Sequence, residues 1–166
     1  MPESPLHATV CAWLEAAGWS FARGERALAA RELGGGELVW VAVAQRESSP
    51  LILTEPAAGP QRLVLSHYFR LEPAERERRD RLGVAERTQL AWDLLTHLNL
   101  LQVEYLLDGP VPDEVMLSLS VPSDGLTRTL FLDRVDRLAA ALRLVSLAYA
   151  KALGRLLERP PAPVVH

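Results

Sequence analysis

The stretch VPSDGLT, from Val121 to Thr127, marks the end of a strand and the start of a long C-terminal helix. Leu126 is apolar, Thr127 can cap the helix, and Phe131 lies at the fourth helical position. This spacing is that of a hydrophobic staple, which sets the direction in which the chain enters the helix. We therefore predict a helix from Arg128 to Leu157, ended by the prolines that follow.

The predicted last helix carries apolar residues on two faces. One stripe contains Val135, Leu138, Leu142, Val145, Tyr149 and Leu156, and the second contains Ala140, Leu144 and Leu147. A wide stripe can simply pack on a sheet, but a small domain rarely needs to bury both faces, so we predict a dimer seam or a client groove on the second. The residues predicted for this interface are Leu138, Leu142, Leu144, Val145, Leu147 and Tyr149.

The N-terminal half is predicted to form one helix followed by a meander of β-strands. Apolar spacing predicts a helix from Leu6 to Ala17 that Gly18 stops. The predicted strands are Ala27–Leu33, Leu38–Ala44, Leu51–Thr54 and Arg62–Phe69, with a Gly34–Gly36 turn and a polar loop over Gln45–Pro50. Short connections make this meander antiparallel.

The second half contains an ambiguous segment. Apolar residues at Val84, Ala91, Leu94, Leu95 and Leu98 predict an amphipathic helix. Residues 101–107 alternate with period two, which favours a strand, although the helix could also run on to Leu107. Residues 115–121 alternate clearly and predict a strand.

These elements predict one α+β domain over residues 1–158 and a Pro-rich tail over residues 159–166. The antiparallel sheet is expected in the element order α-β-β-β-(β)-α-β-β-α. This order, with the Ser123–Thr127 segment between the last strand and the last helix, resembles the type III secretion chaperone-like superfamily, which includes YbjN-like proteins of prokaryotes. The chain departs from those chaperones in being longer than many of them and not strongly acidic. The resemblance implies a homodimer without a catalytic site.

Composition limits the possible partners. The chain has 166 residues, 49% apolar and 23% charged, and a formal net charge of −3. This balance argues against phosphate-backbone binding as the main task, because such binding needs a basic face. Cys11 cannot form an internal disulfide, which favours a reducing, cytoplasmic location. The N-terminus does not read as a secretory signal, and no apolar run is long enough for a membrane span.

The residues whose side chains could take part in catalysis, metal binding or nucleic-acid binding are not spaced as such sites require. The segment Glu75–Arg87 alternates in sign, so we expect a solvated face with i,i+4 pairs. Cys11 lies mid-helix and is expected to be a buried structural thiol. No metal-ligand spacing joins the histidines, of which His67 and His97 are expected to be partly exposed; the four are His7, His67, His97 and His166. We predict no catalytic residue, no cofactor and no metal.

The sequence thus predicts a non-catalytic protein–protein interaction module, a chaperone-like homodimer that binds a partner's segment by apolar contacts or strand addition. One alternative is a small enzyme or ligand-binding protein with a pocket around His67 or His97. A second is a nucleic-acid-associated protein that uses the Arg-rich segment 76–87. The identity of the partner and the dimer geometry do not follow from the sequence.

Overall fold

Ten elements follow one another in the computed structural model, which describes residues 5–22, 37–46, 49–58 and 61–157. The helices are α1 (Pro5–Ala16), α2 (Pro73–Asp80), α3 (Val84–Leu101) and α4 (Arg128–Leu157). The strands are β1 (Ser20–Ala22), β2 (Leu38–Arg46), β3 (Ser49–Pro56), β4 (Arg62–Arg70), β5 (Glu104–Leu107) and β6 (Glu114–Pro122). The predicted strand Ala27–Leu33, the Gly34–Gly36 turn and the tail 159–166 lie outside the described residues.

The strands form one antiparallel sheet of six strands in the order β1-β2-β3-β4-β6-β5. β6 pairs with β4 along its whole length, from Arg62 opposite Pro122 to Arg70 opposite Glu114. β5 pairs with the edge of β6 that faces away from β4. The chain therefore leaves the sheet after β4, forms α2 and α3, and returns to the sheet as β5. The predicted α+β class with an antiparallel sheet is confirmed.

One face of the sheet carries the core. Alternate residues of each strand point to this face, and the fully buried ones include Leu51, Leu53, Leu63, Leu65 and Leu117. The Phe69 ring of β4 stacks on Tyr149 of α4 with centroids 4.9 Å apart, which places α4 on this face. None of the helices in the described ranges has the length and apolar character needed to cross a bilayer.

The last helix begins as its sequence predicts. The backbone N–H of Leu130 donates to Thr127 Oγ1 at 3.3 Å, so the threonine caps the helix. Phe131 is buried, and Leu126 packs against the same core. The helix extends from Arg128 to Leu157, the predicted range.

Two connections differ from the prediction. The polar loop over Gln45–Pro50 is wrong, because β2 continues to Arg46 and β3 begins at Ser49. Gln45 lies opposite Pro50 and Arg46 opposite Ser49, so polar residues extend the ladder and satisfy its backbone groups. The charged segment after Pro73 forms α2, which was not predicted as a separate helix; the strand β1 was not predicted either.

The ambiguous segment resolves in favour of the strand. α3 runs to Leu101 and ends at Gln102, which has the left-handed φ of 53°. The strand β5 then occupies Glu104–Leu107 and pairs with β6. The strand interpretation is confirmed, with a later start than the sequence predicts, since three further residues join the helix after Leu98.

Candidate functional site

A groove of about 520 Å³ lies along α3 and is the candidate functional site. The α3 groove, as we call it, has a floor made by one face of α3: Val84, Thr88, Ala91, Trp92 and Leu95. Pro110 and Val111 of the β5–β6 loop form its lip. Arg79, Asp80 and Arg87 form its third side.

The floor is apolar although it faces solvent. Val84 is 84% exposed, Trp92 66% and Leu95 36%. A surface helix normally presents polar residues on its solvent side, and an exposed apolar patch commonly marks a binding surface. The floor therefore distinguishes α3 from a helix that only packs on the core.

α3 has two apolar faces, which point in different directions around the helix axis. Leu90, Leu94 and Leu98 are buried in the core of the chain. At 100° per residue, Val84 and Leu95 point well away from that row. The apolar spacing from Val84 to Leu98 predicts a single stripe, because the spacing of single residues does not show where a wide stripe is divided.

The lip of the groove is fixed to α2 by an arginine. Arg79 Nη1 donates to the carbonyl oxygen of Val111 at 2.9 Å, and Arg79 Nη2 lies 2.5 Å from Asp113 Oδ1. The backbone N–H of Leu71 donates to the carbonyl oxygen of Asp113 at 2.9 Å. These contacts hold the β5–β6 loop against the last turn of α2 and against Leu71, which precedes that helix.

The lip is also fixed to α4. Tyr149, which is buried, donates its hydroxyl to the carbonyl oxygen of Pro112 at 2.5 Å. Burial raises the pKa of this phenol; the nearby Arg79 cation opposes the rise and the Asp113 carboxylate adds to it. Tyr149 therefore remains a neutral donor at physiological pH.

The arginines of the charged segment are used largely within the protein. Arg87 Nε donates to the Leu82 carbonyl at 3.0 Å, and Arg87 Nη2 donates to the Asp80 carbonyl at 2.8 Å. Arg79 is only 18% exposed and its partner Asp113 lies in a distant loop. The expected solvated face with i,i+4 pairs is thus wrong for Arg79, which is half-buried and clamps the β5–β6 loop.

His67 lies buried in the sheet, so the expected partial exposure of this residue is wrong. Its Nδ1 lies 2.8 Å from the Pro50 carbonyl oxygen. Because a carbonyl only accepts, Nδ1 carries the proton, and Nε2 has no hydrogen-bond partner among the described parts of the chain. Burial lowers the pKa of His67 to about 4, against the opposing effect of the Pro50 hydrogen bond.

His7 makes contacts that sequence spacing does not reveal. It lies buried on α1, contacts the Glu55 carboxylate through Nε2, and stacks on Trp40 with ring centroids 4.3 Å apart. His97 is half-buried on α3, and His166 lies outside the description. Over the described ranges, no three His, Cys, Asp or Glu side chains converge as a metal site would require.

The residues predicted for the interface divide into two groups. Leu138, Val145 and Tyr149 are at most 1% exposed and belong to the core of the single chain, so they offer no surface to a partner. Leu142 and Leu144 are half-buried, and Leu147 is 63% exposed.

The side chain of Leu156 is outside the description, and Cys11 is half-buried on α1 without a disulfide.

Comparisons with known proteins support the fold. The model of the family described as Uncharacterized conserved protein (DUF2299) matches residues 38–147. The crystal structure of an uncharacterized protein from Methanothermobacter thermautotrophicus is similar, with a TM-score of 0.60, 18% identity, and coverage of 93% of this chain and 98% of that chain. At this identity the likeness shows the fold alone. No curated protein matches the chain.

Proposed function

This chain belongs to the DUF2299 family of conserved proteins, and we propose that it works as a non-catalytic protein–protein interaction module. In this proposal the α3 groove holds an amphipathic helical segment of another protein. The cytoplasm is the proposed location, since a lone cysteine suits a reducing compartment.

The exposed apolar floor of the groove carries the proposal. From Val84 to Leu95 the floor is about 17 Å long, at about 1.5 Å per helical residue. A partner helix of about three turns has the same length and presents anchors at i, i+4 and i+7. Trp92, the largest side chain of the exposed floor, is the type of residue that dominates binding energy at protein interfaces.

The charges around the groove indicate which segment fits. Arg87 is exposed at the edge of the floor, and Arg79 lies beside it. Arg79 is paired with the carboxylates of Asp80 and Asp113. Arg87 donates to backbone carbonyls instead, so its cation makes this side of the groove positive. A segment with apolar anchors and an acidic residue on the flank facing Arg87 therefore matches better than a basic one.

Strand addition receives less support than the groove. The two edges of the sheet are β1, with 3 residues, and β5, with 4 residues. Short edge strands offer few backbone groups to an incoming strand. The resemblance to type III secretion chaperone-like proteins is part of the same proposal, since those proteins hold a client segment in surface grooves of a dimer.

The test compares what the wild type and groove variants retain from a lysate of the native host. Trp92→Ala and Val84→Glu alter the floor, whereas Leu100→Ala removes an equally exposed apolar side chain from the same helix, away from the groove. Native mass spectrometry gives the mass and stoichiometry of the retained species. We expect one protein to bind the wild type and the Leu100→Ala variant, and to be lost with both floor variants.

Peptides from that protein then locate the bound segment. An amphipathic peptide with the expected acidic flank should bind the wild type at least about 30-fold more tightly than the Trp92→Ala variant, as for an interface hot spot. Equal retention by the Trp92→Ala and Leu100→Ala variants would exclude the groove as the binding site. Circular dichroism confirms that each variant is folded.

A further inference from the structure

The face of the sheet opposite the core is also apolar. Because side chains alternate along each strand, Val64 and Tyr68 of β4 point away from the core residues Leu63, Leu65 and His67. Register places the residues opposite them on the same side. The outer face, as we call it, includes Val41, Val43, Ile52, Val64, Tyr68 and Met116.

The chemistry of the outer face differs from that of a solvated sheet. Antiparallel sheets that face water on one side alternate apolar residues inward with polar residues outward. Here the strand centres carry aliphatic, hydroxyl, thioether and phenol side chains on the outer face, opposite a leucine-rich core face. Among the described residues, the ring contacts between the strands and the segments packed on them lie on the core face: His7 on Trp40, Trp19 near His67, and Tyr149 on Phe69.

Two hydroxyls are embedded in this face. Thr54 and Ser66 are each 1% exposed, and their hydroxyl oxygens have no hydrogen-bond partner within the described ranges. Register places Thr54 between Val41 and Val64, and Ser66 between Ile52 and Ser118. The centre of the face is therefore already desolvated, and covering it removes little water from polar groups.

Both ends of the outer face carry one arginine and two acids. At one end, Arg62 shares a depression of about 240 Å³ with Glu37 and Glu104. At the other end, Arg70 shares a depression of about 220 Å³ with Asp108 and Glu114. Arg70 Nε lies 2.8 Å from Glu114 Oε1.

This distribution of charge is complementary to itself. A two-fold axis that stacks two outer faces brings the arginine of one copy towards acids of the other, whichever ends meet. A strongly basic or acidic partner has no such match, because neither end has a single sign. A second copy of this chain is the partner that the charges fit.

The dimensions of the outer face reach the lower limit for a specific interface between two copies. Five strands at about 4.8 Å spacing, each contributing roughly six residues at about 3.3 Å, give a face of about 24 Å by 20 Å. Stacking two such faces covers roughly 1,000 Å² in total, the lower limit for a specific interface. The apolar centre and charged ends also have the arrangement of an interface core and rim.

We propose that two copies of the chain associate through their outer faces, sheet on sheet. This places the second copy on the sheet and not on the exposed stripe of α4 around Leu147. The inference does not depend on the α3 groove, which lies outside this face and remains open in the pair.

Sedimentation equilibrium of the full chain tests the proposal. Val64→Glu places a charge at the centre of the outer face, and Met116→Lys places one further along it. Leu147→Glu is the matched control on α4, and Trp92→Ala is the control in the groove. We expect the wild type and both controls to be dimers, and both outer-face variants to dissociate at least about 30-fold more readily.

A milder variant keeps the result interpretable if the charged ones do not fold. Val64→Thr preserves the shape of the side chain and should weaken the dimer measurably while the thermal unfolding midpoint of the monomer changes little. A monomeric wild type at the highest soluble concentration would overturn the proposal. So would folded outer-face variants that remain dimers, or a dimer lost only with Leu147→Glu. Binding of a groove peptide is scored separately, so either hypothesis can fail alone.

Discussion

The Tyr149 hydroxyl donates to the carbonyl oxygen of Pro112 at 2.5 Å, joining the last helix to the lip of the α3 groove. Tyr149 also stacks on Phe69 of the sheet. One buried side chain thus connects the core, the longest helix and the loop that shapes the candidate site. The stability of the core and the geometry of the groove are therefore coupled.

Tyr149→Phe should test this coupling. The ring and its stacking remain, but the buried Pro112 carbonyl loses its donor, which should lower the free energy of unfolding by about 1–2 kcal/mol. Urea denaturation measures the change. Tyr105→Phe, at a half-buried tyrosine on β5, is the control and should cost less. Equal effects of the two substitutions would contradict a special role for the Tyr149 hydroxyl.

Arg79→Ala should also loosen the lip. It removes the hydrogen bond to Val111 and leaves the Asp113 carboxylate without its closest cation. We expect a loss of about 2 kcal/mol in unfolding free energy, within the range for hydrogen bonds to charged groups. Faster amide hydrogen exchange over residues 108–113 should accompany it. Arg81→Ala, at an exposed neighbour, should leave both measurements close to wild type; an unchanged exchange rate in the Arg79 variant would refute the clamp.

His67 should make stability depend on pH. Its pKa is about 4 in the folded chain against 6.5 for an unperturbed histidine. As pH falls below 6.5, the unfolded chain binds a proton that the folded chain refuses, so the folded state loses stability until pH reaches about 4. Between about pH 7 and pH 5 this loss should be on the order of 2 kcal/mol.

Urea titrations at the two pH values measure this effect. His67→Gln should remove most of the slope, although carboxylates contribute to what remains. A His67→Gln slope as steep as that of the wild type would show that His67 does not cause the pH dependence.

Gln102→Gly should stabilise the protein. Gln102 ends α3 with a φ of 53°, a conformation that costs an L-residue roughly 1 kcal/mol and glycine little. After the entropy that glycine adds to the unfolded chain, we expect a net gain of a few tenths to 1 kcal/mol. Thermal unfolding measures it. Asn99→Gly, inside the last turn of α3, should instead destabilise, and a lower midpoint for the Gln102 variant would contradict the strain.

The elements predicted best are those whose side chains repeat with a clear period. β6 alternates strictly, and α4 carries a cap, a staple and a long apolar stripe, so local pattern and tertiary packing agree. The loop expected over residues 45–50 fails for the opposite reason. Its polar residues extend a hairpin, because backbone pairing with the neighbouring strand does not require apolar side chains.

The candidate site was missed because its parts are distant in the chain. Val84 and Leu95 looked like members of the core stripe of α3, and Val111 looked like an ordinary loop residue. Arg79 looked like one charge among many. Only their convergence makes a groove, and no local spacing encodes it.

The sequence by itself determined the class of the fold, the last helix with its cap, and the strand after α3, since periodicity and capping are local properties. Tertiary structure alone decided which apolar residues are surface and which are core. Leu138, Val145 and Tyr149 are buried and Trp92 is exposed because burial depends on which elements meet. The same holds for His67, whose titration is set by neighbours far away in the chain.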